Sequence, residues 1–500
     1  TWDRNYDLNW NIMEGLRLNY NANNQGLIKE PGDLKADKTL YPDEFEMNRD
    51  SVLNSFANFG ENNHFLQSTN LTYTWPFKKI PVLSFVNLTT KYQATYDWQR
   101  APLSQDSLGN TIQNSRNIAW NGSFNMQNLY NKVPYFKKVN QKSRSNSRRG
   151  SSNLSKSKTL DGEKGNKDGK GDDKGDKSKK SKKKDPNALT FADGLAKILM
   201  SLQNVTFSYS TIDGQLLAGY KPQSEYFGMT NGFTTPGIGF VFGGEQERDF
   251  FGRATDNDFA VTSAKNGWLV GPTSRYINSQ RTTNHSKNFN TRATFEPFKG
   301  IRIELTANYL YSENMNENFI WDDSLGSYQN FNTMRVGNYN YSFNSIRTAF
   351  VKDDTNGNSK LFTQLLENRK TASTLLQQQN PYASLATDSA GFYDGYGASQ
   401  QQVVMASFIA AYSGKNLTQK TLNPLSALPN LNWRVTIDGL NRMPAIRKIF
   451  RSIVFSHAYN STFTVASFNT DLEAVIDENG NGQTRDESGN IRPEQQIMTV

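Results

Sequence analysis

Residues 84–98 read SFVNLTTKYQATYDW. In steps of two, Val86, Leu88, Thr90, Tyr92, Ala94, Tyr96 and Trp98 form one set. Asn87, Thr89, Lys91, Gln93, Thr95 and Asp97 form the other. All but Thr90 of the first set are apolar or aromatic, and every member of the second is polar or charged. A β-strand turns successive side chains to opposite faces, so this spacing predicts one oily and one wet face. At about 3.3 Å per residue the stretch reaches roughly 50 Å, longer than an ordinary globular strand. The oily row ends in Tyr96 and Trp98, residue types that gather where a bilayer meets water. The expectation is a strand of an outer-membrane β-barrel.

The whole composition fits that expectation. The chain has 500 residues and a mean hydropathy of −0.71. Its longest nearly apolar piece, Val403–Tyr412, is far short of a membrane-spanning helix. Neither fact bears against a barrel, in which only alternate residues meet lipid and the loops are polar. Aromatics at 12% are high for so hydrophilic a chain and suit interfacial girdles. There is no cysteine, which excludes disulfides, thiolate metal sites and thiol nucleophiles. The chain opens directly in a strand pattern, without a leader-like segment, and stops in a polar loop, so it reads as a piece of a longer protein.

Alternation recurs along the chain. Asp7–Asn21 reads as a hairpin about Gly15, and Phe65–Trp75 as a strand that turns through Pro76–Pro81 into the 84–98 strand. Asn117–Asn128 alternates again, Phe191–Leu202 has helical spacing, and Val205, Phe207 and Tyr209 resume the strand pattern. Lys287–Ser312 is the clearest hairpin, turning at Pro297–Gly300. Asn338–Lys352 reads as two strands with a turn near Asn344–Ser345, which keeps short turns on one side and long loops on the other. A helix is expected over Ser359–Gln379, then strands at Leu431–Ile437 and Ile453–Val465 joined by a basic turn over Gly439–Phe450. Long polar loops fall at 22–63, 99–116, 211–286 and 353–429. The fold class is therefore all-β: about twelve antiparallel strands of a very large transmembrane barrel, with long extracellular loops and a few short helices. The chain divides into strands 1–5 (1–139), a linker (140–187), strands 6–10 (188–352), a partly helical insertion (353–429), and strands 11 and 12 with a loop (430–500).

The net charge of +9 misleads. Residues 140–184 hold 16 Lys and Arg against 6 Asp and Glu, so this segment alone carries +10 and the remainder is near neutral. Its Lys/Ser/Gly/Asp composition cannot bury enough apolar surface to offset ordering, and no aromatics are interleaved for stacking on bases. It reads as a solvated linker rather than a nucleic-acid or anionic-lipid contact.

Motifs of chemistry are few. His64, His285 and His457 lack metal-ligand spacing. No G-x-S-x-G or Walker sequence occurs. Gly237, Gly239 and Gly243 imitate a nucleotide fingerprint with the wrong spacing and no βαβ context. Asp477–Gly482 opens like a calcium loop, but Ser488 stands where the bidentate Glu is required, so a plain loop is favoured. No catalytic residue, metal or cofactor is expected. The functional candidates are instead polar wall residues: Asn87, Lys91, Gln93, Asp97, Arg302 and Glu304.

Several segments together resemble the SprA/Sov family, the giant outer-membrane translocon of the type IX secretion system that also serves gliding motility. They are PGIGFVFG from Pro236 through Gly237 and Gly239 to Gly243, and LNWRVTIDG across Trp433, Arg434 and Gly439. With them go FRSIVFSH ending at His457, the Pro297 hairpin followed by IRIELTANYLYSEN, and LGNTIQNS at 108–115. The resemblance implies a single-chain barrel of which about twelve strands would be only a part, seated in the outer membrane of a Gram-negative cell. It implies a capped extracellular end, a lateral opening, and export of folded cargo bearing C-terminal signals. The implied partners are outer-membrane lipid, a PorV-type shuttle barrel and a periplasmic plug protein, with no nucleic acid. The wet rows would keep the pore hydrated. A nutrient transporter or porin barrel, and a soluble β-rich adhesin, are the alternative functions. Deleting residues 145–184 should leave barrel assembly intact, checked by heat-modifiable migration of the assembled protein; loss of assembly would show that this segment is no linker.

Overall fold

The computed structural model describes residues 1–28, 38–57, 59–142, 191–270, 279–322, 324–325, 327–422 and 429–499. Thirteen strands form one antiparallel sheet, open at both edges among the described residues. They are β1 (Trp2–Met13), β2 (Leu16–Leu27), β3 (Glu61–Thr74), β4 (Val86–Gln99), β5 (Asn110–Asn125), β6 (Leu202–Tyr220) and β7 (Ser279–Phe298). They continue as β8 (Ile301–Asp322), β9 (Ser327–Ser342), β10 (Asn432–Ile437), β11 (Phe455–Tyr459), β12 (Thr462–Thr470) and β13 (Gln495–Thr499). From β1 to β9 each strand pairs with its chain neighbours, so the sheet is an up-and-down meander. Tight connections lie along one end, at Gly15, at Pro76–Lys79 and at Pro297–Gly300; call this the lower end. Its β5–β6 connection leaves the described residues at 143–190, which contain most of the predicted linker. Where this connection is described it is helical: Met126–Tyr130, 134–142 and Phe191–Leu199, packed through Tyr130, Val139, Ala196 and Met200.

The strands run further up than the alternation predicts. β6 continues to Tyr220 and β7 begins at Ser279, so the expected loop 211–286 shrinks to about its middle. Likewise β2 reaches Leu27 and β3 starts at Glu61, with a helix Pro42–Ala57 inside the expected loop 22–63. β5 starts at Asn110, inside the expected loop 99–116. The reason is common to all. In the upper halves the former oily row carries polar groups such as Gln67, Asn114, Asp213 and His285, which erase the periodic signal.

Asn338–Lys352 is not two strands. β9 pairs with the upper part of β8, from Tyr309↔Tyr341 to Asp322↔Ser327, and ends at Ser342. β10 then takes up the lower part of β8, from Asn432↔Thr306 to Ile437↔Ile301. β9 and β10 are thus two halves of one strand line, and 343–431 is an insertion at mid-height. β12 and β11 repeat the arrangement on the next line. Asn432 closes the splice: its Nδ2 donates to Asn460 Oδ1 at 2.7 Å, and its Oδ1 accepts from the Ser461 backbone amide at 3.1 Å. The Asn430 amide donates to the Ser342 carbonyl at 2.8 Å. Strand parity is preserved by interruption rather than by an added turn.

Two insertions cover the upper half of one face. Residues 221–270, here the lid, leave and re-enter at the top of β6, where Val270 N donates to Gly219 O at 2.8 Å. The lid buries Phe240, Val241, Phe259 and Leu269 against Phe65, Tyr96, Trp98, Ile112 and Leu217. The second insertion contributes the helix Lys360–Gln379, within the expected Ser359–Gln379 with Ser359 standing as its cap, and the helix Gln401–Ser413. The latter packs Met405, Phe408 and Tyr412 toward Tyr339, Tyr341, Phe463 and Val465. Tyr96 and Trp98 are therefore 0% and 1% exposed, which contradicts the expectation that they sit at a membrane–water boundary: the lid covers them. Among the described residues the sheet does not fold over onto a second sheet, and the apolar rows meet insertions above and nothing comparable below.

The PGIGFVFG segment forms the wedge of the lid. Gly237 precedes a single helical turn, Ile238–Val241, which buries Phe240 and Val241 completely. Gly243, at φ +80°, lies flat on the sheet, where a Cβ would stand 2.9 Å from the Ala94 Cβ and 3.1 Å from the Ser115 carbonyl. Gly243→Val should cost about 1–3 kcal/mol in backbone strain alone. The expected outcome is faster proteolytic cutting within 221–270 while the strands stay protected.

Candidate functional site

The sheet's two faces differ in residue type over the lower half and in what covers them over the upper half, and cross-strand register shows which residues share each. Asn87 stands opposite Ser123, Ser123 opposite Thr206, Thr206 opposite Arg292, and Arg292 opposite Thr306. Arg302 and Glu304 alternate with this Thr306 line, and Lys91, Gln93 and Asp97 with Asn87. All six predicted wall residues therefore occupy one face. On β4 this face keeps Asn87, Lys91 and Gln93 exposed and Asp97 half-buried. An open groove of about 700 Å³ crosses it from β4 to β8, lined by hydroxyl and amide side chains including Asn87, Thr89, Asn121, Ser208 and Asn290. Polar side chains bond along the face: Asp97 Oδ1 to His64 Nε2 at 2.7 Å, Thr95 to Ser115 at 2.6 Å, and Arg292 to Glu304 at 3.7 Å. Arg434 lies here too, opposite Glu304.

The other face is layered. Its lower half is an apolar band: Leu18, Leu71, Tyr92 and Ile118 on one register line, Val86, Phe124, Val205, Ala293, Leu305 and Trp433 on a lower one. Trp433 stacks on Tyr459 at 4.4 Å between ring centres. His457 also belongs to this row, beside Val435 and Ile303, and is exposed. Gly439 sits at the lower rim, its amide donating to the Gly300 carbonyl at 3.1 Å, which ties neighbouring turns together.

Above the band the same face carries charged groups, several of which the lid partners. Arg116 Nη2 donates to Asp213 Oδ2 at 3.2 Å and to the lid carbonyls of Arg248 and Asp249 at 2.7 and 3.0 Å. His285 Nδ1 meets Asp213 Oδ1 at 2.6 Å. Arg281, almost wholly buried, contacts Glu317 and Asp258 at 3.1 and 3.2 Å and also Glu247. Asp258 does double duty, since its other oxygen caps the lid helix Phe259–Lys265 at Ala260 and Val261. Asn114 donates to the carbonyls of Phe240 and Gly244, and Gln67 to that of Val241, at 2.9–3.0 Å. Burial pushes the Glu247 carboxyl up, against the pull of Arg281. The backbone amide of Arg253 leads several donors that hold Asp249 below the usual carboxylate range. These latch residues have no signature in the chain: Arg116 and Asp213 are 97 positions apart, and only register brings them together.

The predicted site residues thus separate into a wet wall, a lid wedge (Pro236, Gly237, Gly239, Gly243), the apolar band (Trp433, His457) and a rim contact (Gly439). The calcium-like loop is a hairpin turn. Asp477 Oδ1 accepts from the amides of Asn479 and Asn481 at 2.9 and 2.8 Å, and Gly480 adopts φ +83°. The same D-x-x-G turn recurs at Asp249, Asp354, Asp388 and Asp486. Among the described residues no group of three His, Asp or Glu is placed to hold a metal ion. Among known proteins, no family model and no curated protein matches the chain. Breaking a buried ion pair by removing one partner costs about 3–5 kcal/mol. Asp213→Ala should accordingly release the lid, read as increased hydrogen exchange across 221–270 with little change at the β4–β5 amides.

Proposed function

We propose that this chain forms part of the wall of a very large outer-membrane β-barrel, a protein-conducting translocon of the SprA/Sov kind that exports folded cargo and supports gliding motility. The observation that carries the reading is the two-faced sheet: wet and uncovered on one side, apolar on the other over a limited height. On β8 the apolar row runs from Ile301 to Tyr309. Nine residues at about 3.3 Å, tilted by about 40°, give a height of roughly 23 Å, close to the ~25 Å apolar band of outer-membrane barrels. β8 has 22 residues, whereas about 9–11 cross a bilayer, so its upper half stands clear of the membrane.

In this reading the wet face lines the lumen and the lid and helical insertion stand outside it, on the extracellular part of the wall. They brace strands that outrun the bilayer instead of closing the mouth. The lumen surface of hydroxyls, amides and scattered charges offers folded cargo hydrogen-bonding groups of the kind water offers, and few apolar contacts to hold it. No bond is made or broken by the wall, and the direction of transport is set by an energy source outside it. The set of segments PGIGFVFG, LNWRVTIDG and FRSIVFSH favours a translocon over a porin or nutrient transporter. The uncovered apolar band disfavours a soluble adhesin.

Leu88 belongs to the middle of the band and Gln93 to the wet face. Leu88→Arg should destabilise the assembled protein by about 2–4 kcal/mol while Gln93→Arg is nearly silent, measured by denaturant unfolding in lipid vesicles. Equal effects would remove the face assignment. Deleting the gene's product should stop export of folded proteins bearing C-terminal signals; continued export with loss of a nutrient uptake activity would favour the transporter alternative.

A further inference from the structure

The lower edge of the lid ends on the top of the apolar band, and it ends in aromatics. Phe250 and Phe251 occupy the tip of the Asp249–Gly252 hairpin. Phe251 stacks on Trp120 at 6.2 Å and 14° between planes, and its carbonyl accepts from the Tyr209 hydroxyl at 2.9 Å. Phe250 meets the ring of Tyr92 edge-on at 6.5 Å, and the Arg116 guanidinium lies 5.0 Å from its centre. Trp120 and Tyr92 are themselves members of the apolar row. A second aromatic group sits beside β2: Phe227 contacts Tyr20 at 6.4 Å and Phe233 at 6.3 Å. Tyr20 lies one step above the Leu18–Leu71–Tyr92 line.

These rings are not there to fill a core. Tyr226, Phe227, Phe233, Phe250 and Phe251 remain 61, 53, 47, 55 and 55% exposed. Phe227 and Phe233 also hold φ of +51° and +59°, a region that bulky residues avoid and that Gly or Asn fills with less strain. A large ring kept at such a position, and kept exposed, points to contact with something outside the chain. The neighbouring Arg253 is exposed and lies over the Phe251 ring at 5.6 Å; its Nε pairs with Asp249 at 2.6 Å.

We infer that the lower edge of the lid is an interfacial belt that rests on the outer leaflet of the bilayer, its rings at headgroup depth and Arg253 toward anionic headgroups. Phe rings are stable at the headgroup–acyl boundary because their apolar faces leave water there, and the hydroxyl of Tyr226 can stay wet at the same depth. The lid would then fix how deep the wall sits, since it is latched rigidly to the strands by Arg116 and Arg281 and cannot follow them below the headgroups. The inference rests on the membrane reading above, and its test separates the two.

The chain contains no cysteine, so one introduced thiol gives one label. Nitroxides are attached to Phe251→Cys and Tyr226→Cys variants of the full chain in vesicles of phosphatidylethanolamine and phosphatidylglycerol. Leu88→Cys serves as the mid-band reference and Asn356→Cys, in an exposed hairpin, as the aqueous one. Collision with oxygen relative to a water-soluble nickel chelate is expected to rank 88 above 251 and 226, and these several-fold above 356. If 251 and 226 match 356 while 88 stays lipid-accessible, the belt is overturned and the membrane reading stands. If 88 also matches 356, both fall.

Discussion

One face of each long strand has to serve two surroundings. Because side chains alternate strictly, the row that begins as Val86, Leu88 and Tyr92 continues upward as Ala94, Tyr96 and Trp98 on the same side of β4. On β6 and β7 it continues as Thr211, Asp213 and Gln215, and as Lys287, His285 and Arg281. β6, β7 and β8, of 19, 20 and 22 residues, carry an upper row that mixes apolar and charged groups, and the charged ones need partners once they are covered. The solution is a second layer on that side only. The lid and the helical insertion convert the upper row into a conventional interior, in which polar groups meet backbone carbonyls and ionic partners, and leave the lower row free.

The energetics of that second layer are those of a buried polar network. Arg116 and Arg281 are too deeply covered to be stable without partners, and both are held by carboxylates and carbonyls drawn from several elements. Such networks add modestly to stability when complete and cost heavily when broken, so their effect is chiefly to specify one docked position. The apolar part of the same contact, Phe240, Val241 and Phe259 against Tyr96, Trp98 and Ile112, supplies the non-directional adhesion. Rigid docking is what lets the lid's lower edge keep a fixed height relative to the apolar band.

The mid-strand insertion follows the same logic. A helical pair inserted at a rim would sit beyond the strand ends, whereas one inserted at Ser342 and Asn432 emerges beside the row it has to cover. Interrupting a strand leaves unpaired backbone groups at the break, and these are met locally by Asn432, Ser342 and Ser461. The wall therefore stays continuous across the splice.

The amino-acid sequence by itself determined the strand class, the two-faced character of β4, the tight turns at Gly15 and Gly300, and the helix expected over Ser359–Gln379, which begins one residue later. Each of these depends on spacing within a dozen residues, where period and capping are local physics. That Asn87, Lys91, Gln93, Asp97, Arg302 and Glu304 share one polar face was legible for the same reason. Strand tops, the splice at Ser342 and Asn432, and the Arg116–Asp213–His285 latch were decided only by tertiary structure. There the side chains are polar on both faces, so periodicity carries no sign. Which side is interior depends on a lid that folds back from elsewhere in the chain. Burial, not residue type, makes Asp213 an interior residue and Phe251 a surface one.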